Sequence, residues 1–106
     1  MKSPSSAFCP KGLNKTVSLA VTGASQTITT DTGYIVGNQV RIANVGTKTV
    51  FLEFGASGTT PTAATATSIP MLANTVEVFT VPPLCVVAAI ASDTGSTIYI
   101  TPGEGL

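Results

Sequence analysis

A chain of 106 residues, with five Lys and Arg against five Asp and Glu and neither His nor Trp, has the length of one domain. Lacking His, it can build no Ser-His or Cys-His pair and no His-based zinc site, and a few scattered cations leave no electrostatic footprint for nucleic acid. At 43% hydrophobic and 9% charged, it is too apolar and too neutral to be disordered throughout.

Residues 1–14 hold Ser3, Pro4, Ser5, Ser6, Pro10 and Gly12 without periodicity. They read as an extended arm ahead of a domain over 15–106, with Phe8 and Leu13 as the arm's apolar anchors. The opening MKSPSSAFCPKG has a Lys but no apolar stretch of the kind a secretory signal needs. The longest apolar run, 84–91, falls well short of the ~18–20 residues of a spanning helix. A protein made and used on the cytoplasmic side, with no membrane partner, is the expectation. Cys9 and Cys85 form no Cys-x-x-Cys pair. Cys85 lies in the apolar run and reads as a core residue, Cys9 as a free thiol in the arm; a disulfide between them stays open.

From Lys15 onward Thr is abundant, Val and Ile are frequent, and Gly, Pro, Asn and Asp interrupt at short intervals. No segment carries a helical stripe, and several show period two, the mark of half-buried strands. Val17, Leu19 and Val21 alternate with Thr16, Ser18 and Ala20. A weaker strand covers 26–30 with Ile28 inward, and a short extended piece covers 34–36. Val40 and Ile42 alternate with Gln39, Arg41 and Ala43. Over 47–54, Val50, Leu52 and Phe54 face one way and Thr49, Phe51 and Glu53 the other. The short Asn44-Val45-Gly46 connection predicts that 39–44 and 47–54 form a hairpin. The sequence GASGTTPTAATAT at 55–67 is a low-complexity polar loop, long enough to suggest a role of its own. Further on, 68–74 is a short segment, and Val76 and Val78 alternate with Glu77 and Phe79. The small apolar run 84–91 fits a strand covered on both faces. Ile98 and Ile100 alternate with Thr97, Tyr99 and Thr101. About eight short strands with turn signals every 8–12 residues make an all-β, antiparallel β-sandwich of jelly-roll type.

Asp31-Thr32-Gly33 and Asp93-Thr94-Gly95 are the motifs with chemical content. Aspartic proteases bring two such carboxylates together to share a proton, and a chain of this size could form half of a homodimeric protease on Asp31. The surroundings argue otherwise. Asp93 lies too near the C-terminus for a flap, Tyr34 follows where that family keeps a small residue, and Asp-Thr-Gly is a natural turn. Glu53 and Glu77 could lie on neighbouring strands, the pairing a glycosidase needs, although solvated strand faces are the simpler reading. No residues have metal-ligand spacing and no glycine loop cradles phosphate, so neither metal, cofactor nor catalytic residue is expected.

A neutral, apolar chain tends to hide surface in an oligomer, and its sheets carry few of the charges that usually guard exposed edges. Phe51 and Phe79 are expected on the faces opposite the core. With Tyr99 they are the candidates for a homo-oligomer interface, dimer or trimer.

The phrases VRIANVGTKTVFLEFG, IPMLANTVEVFTVPP and VVAAIASDTGSTIYITPGEGL together resemble a group of small virion proteins of tailed bacteriophages, the head decoration or cement proteins. The likeness covers about two-thirds of the chain, leaves the arm outside it, and rests on strand phrases that are structural, not catalytic. It implies a jelly-roll scaffold without an active site, made in the host cytoplasm. Such a protein binds the outside of the capsid and clasps neighbouring major capsid protein subunits. Phe8, Leu13 and the 55–67 loop are then the expected shell contacts. A tail- or fibre-associated module or a carbohydrate-binding sandwich is the alternative, weakened by the absence of Trp.

Overall fold

The computed structural model describes residues 9–10, 16–30, 38–56, 58–81 and 85–104. In chain order the strands are β1 (Cys9–Pro10), β2 (Val17–Val21), β3 (Gln26–Thr29), β4 (Asn38–Gly46) and β5 (Val50–Gly55). They continue with β6 (Ile69–Met71), β7 (Thr75–Thr80), β8 (Val86–Ala91) and β9 (Ser96–Glu104). The first sheet runs β2–β9–β4–β7, with the two-residue β1 beside β2 on the same edge of β9. The second runs β3–β8–β5–β6. Every pairing is antiparallel.

From β2 to β9 the chain changes sheet at each connection except β5 to β6. That winding, with strands 2-9-4-7 facing 3-8-5-6, is the double Greek key of a jelly roll. Period-two alternation supplies the core: Val40 and Ile42 of β4, Val50 and Leu52 of β5, Val87 and Ala89 of β8, and Ile98 and Ile100 of β9 all point into the space between the sheets. Partly buried Val17, Leu19, Ile28, Phe54 and Phe79 close its rim.

Two expectations need correction. Residues 39–44 and 47–54 do not form a hairpin. β4 pairs with β7 and β9, whereas β5 pairs with β6 and β8. The connection is an arch that carries the chain from one sheet to the other, so that both strands turn their apolar sides toward each other. Gly46 makes the arch feasible: its φ is +153°, and a Cβ there would run into the Gly95 carbonyl oxygen and Ser96 Cα. The second correction concerns β7, whose faces are reversed. Glu77 lies opposite Ile42 and Phe79 opposite Val40, and both partners are fully buried. Phe79 therefore points inward, while Val76 and Val78 point out. Burying the large ring outweighs burying two valines, and at an edge strand Glu77 still reaches water.

Of the arm, Cys9 and Pro10 pair with Glu104 and Gly103; the rest of it, the 34–36 piece, Asp31 and its Thr-Gly lie outside the described residues. Among the described residues no helix is long and apolar enough to cross a membrane.

Candidate interaction surface

Among the described residues no pocket opens, and no three His, Cys, Asp or Glu side chains gather to hold a metal. The two outer faces of the sandwich differ sharply.

Among the described residues nothing covers the outer face of the first sheet. Cross-strand register places Val76, Ala43, Tyr99 and Ser18 in one row, and Val78, Arg41 and Thr101 in the next. Thr16 joins the second row through a 2.8 Å hydrogen bond between its Oγ1 and that of Thr101. Val45, Thr97 and Ala20 form a third row. Tyr99 is 44% exposed, Val45 54%, Val76 49% and Val78 46%. Arg41 is the single charged side chain among the described residues of this face. An apolar patch around one cation is a surface suited to contact, since monomers seldom leave contiguous apolar area in water.

The middle of the second sheet's outer face is crossed by the chain's own loop over 58–68. Ser68 Oγ donates to Glu53 Oε2 at 2.8 Å, and Ala64 N–H donates to Ser68 Oγ at 2.9 Å. Ala63 N–H reaches Ser25 Oγ, just ahead of β3, at 2.9 Å. The loop thus crosses β8 from β5 to β3. Ala88, which faces outward between Glu53 and Thr27, is completely buried beneath it. This explains why β8 is apolar on both faces, as its composition suggests. Alanine is small enough to let the loop lie close. The threonines Thr59, Thr60, Thr62, Thr65 and Thr67 remain exposed on the loop.

A polar knot joins three connections at one end of the sandwich. Asn44 continues the inward phase of Val40 and Ile42, and its Nδ2 donates to the carbonyls of Lys48 and Met71, each at 3.0 Å, and of Leu72 at 3.2 Å. Ser96 Oγ accepts from Lys48 N–H and donates to Lys48 O. Sequence reading missed Asn44, although its parity in β4 carries the signal: an amide on a buried face needs partners.

The aromatic candidates are not brought together. Tyr99 stands on the first sheet's outer face, while Phe51 lies half-buried on the second sheet's outer face, beside Pro70 and Ile90. Phe79 is turned into the core, contrary to its expected outward position. Phe8 and Leu13 lie outside the described residues. Glu53 and Glu77 belong to different sheets and do not face one another across a cleft. Asp93 forms a turn, its Oδ1 accepting from Thr94 N–H at 2.7 Å, and Gly95 supplies the positive φ of +125°. Cys85 is a buried free thiol, pushed up to about 11 by burial, with a Gly55 backbone hydrogen bond pulling the other way.

No family model, curated protein or solved structure matches the chain.

Proposed function

We propose that this chain is a structural virion protein of the decoration or cement type. It sits on the outside of a tailed-phage head as a homo-oligomer and clasps neighbouring major capsid protein subunits. The observation that carries the reading is the outer face of the first sheet, where Val45, Val76, Val78 and Tyr99 are exposed around Arg41, the one charge among its described residues. A formal net charge of zero suits a surface completed by neighbours. A two-sheet core with exposed apolar side chains on one outer face is a stiff platform, and repeated attachment over a shell makes modest single contacts strong. Jelly rolls also serve in lectins and other proteins, so the surface, not the fold, supports this assignment.

The test is cosedimentation of the full chain with undecorated phage heads, with isolated tails as the comparison. Binding to heads at micromolar concentration, lost in Tyr99→Glu, is expected. Failure to bind heads, or binding to tails alone, overturns the reading.

A further inference from the structure

We propose that a second copy of this chain adds to the first sheet through the edge of β7 away from β4, antiparallel and centred on Val78. The inference rests on the homo-oligomer in the functional reading above, and names its contact.

The four sheet edges are unequally guarded. β6 is only three residues long and has Pro70 at its centre, and both features block strand addition. β3 is four residues long. β7 spans six, Thr75-Val76-Glu77-Val78-Phe79-Thr80, without Pro, Gly or Lys. Among the described residues only β4 pairs with it, so the backbone groups on its other side present a template for another strand. Its outward side chains are the half-exposed Val76 and Val78, which a neighbouring strand would cover. The other edge of this sheet, β2, offers only Ser18 and Ala20 outward, and cross-strand pairs of small side chains contribute little.

Glu77 selects the register. A two-fold axis perpendicular to the sheet keeps inner and outer faces matched, so the pairing must centre on a residue. Centring on Glu77 would set two carboxylates directly opposite each other, which is unfavourable. A centre at Val76 runs the pairing into Asn74, whose φ of +59° turns the chain away. One at Phe79 runs past the end of β7 into Val81. Centred on Val78, residues 76–80 pair within the strand, against three residues for a centre at Val76 or Phe79: Val78 meets Val78, Val76 meets Thr80, and Glu77 meets Phe79. The dimer would then join two first sheets edge to edge, with their Arg41 and Tyr99 side chains on one continuous outer face.

Sedimentation equilibrium on the full chain tests the idea, with Val78→Lys as the variant and Ser18→Lys as the control on the opposite edge. Both positions point outward, so a dilute thermal melt should show each variant folded. The expectation is a dimer whose association weakens about tenfold or more in Val78→Lys, where like charges replace the valine pair, and persists in Ser18→Lys. A nitroxide on Val78→Cys in a Cys9→Ser background gives an independent reading. Side chains directly opposite stand about 5 Å apart at Cβ, so the labels should broaden each other strongly. A chain that stays monomeric, a dimer indifferent to Val78→Lys, a dimer broken by Ser18→Lys, or unbroadened labels would each overturn the proposal. A monomer that still binds phage heads sinks this contact and the homo-oligomer, and leaves the attachment to heads standing. A Val78-dependent dimer that ignores heads sinks the virion reading and leaves the contact standing.

Discussion

Phe54 and Phe79 meet across the interior with ring centroids 5.1 Å apart and planes inclined at 46°. One belongs to β5 in the second sheet and the other to β7, the edge of the first. The pair therefore fastens an edge strand to the opposite layer, at a rim where the core is only partly closed. Phe79→Ala should lower stability by about 2–3 kcal/mol, below the usual loss for a fully buried ring. In a double-mutant cycle with Phe54→Ala, the two should couple by about 1 kcal/mol. Urea unfolding measures both, and additive losses would show that the rings do not support each other.

Asn44 holds the β4–β5 arch to the β6–β7 turn. Its amide serves carbonyls from both connections, although among the described residues its own buried Oδ1 finds no partner. Asn44→Ala removes the donor and leaves those carbonyls short of hydrogen bonds, at a cost of about 2–4 kcal/mol. Asn44→Asp should be worse near neutral pH, since it aims a buried carboxylate at carbonyl oxygens. Equilibrium unfolding ranks the variants. An aspartate variant as stable as wild type would refute the donor role.

The covering loop depends on the bareness of Gly55. A Cβ there would lie 2.5 Å from Thr59 Oγ1 and 3.1 Å from the Pro61 ring, so Gly55→Val should lift the loop from the sheet. Stability should fall by about 1–3 kcal/mol, and limited proteolysis should cut within 56–68 much faster than in wild type. An unchanged cleavage rate would mean that the loop accommodates the side chain by local shifts.

These residues also show what the sequence makes legible. Strand positions follow from alternation and turn residues, and the two-sided apolar character of β8 follows from Ala88 and its neighbours. Pairing is a different matter. Asn44-Val45-Gly46 marks a reversal of the chain, yet a hairpin and an inter-sheet arch use the same local signals. What separates them is whether Val40 and Val50 share a sheet, and that depends on β7, β8 and β9, far away in the chain. The phase of β7 was hidden for a related reason. Val76 and Val78 are as apolar as an inward pair should be, and only the docking of Phe79 beside Val40 and against Phe54 decides which side is buried. Tyr99 was legible because Ile98 and Ile100 flank it on a central strand, where both neighbours enforce the phase.

Cys85 gives the fold a pH dependence with a definite sign. Burial raises the thiol from 9.0 to about 11, so the folded state holds the proton more tightly than the unfolded chain does. Below pH 9 both states keep the proton and this contribution is present in full. Between 9 and 11 the unfolded chain releases its proton first, so stability falls as pH rises, by about 2 kcal/mol at the upper end. Other groups titrate in that range, and Cys85→Val separates them because it keeps a small apolar side chain at the site. The gap between wild type and Cys85→Val in urea midpoints, followed from pH 8 to 11, should move steadily against wild type. In a Cys9→Ser background the thiol should also resist a disulfide reagent at pH 8 until the chain is unfolded, since it is both covered and protonated. Parallel stability curves, or prompt reaction in the native protein, would show that the Cys85 sulfur is open to water.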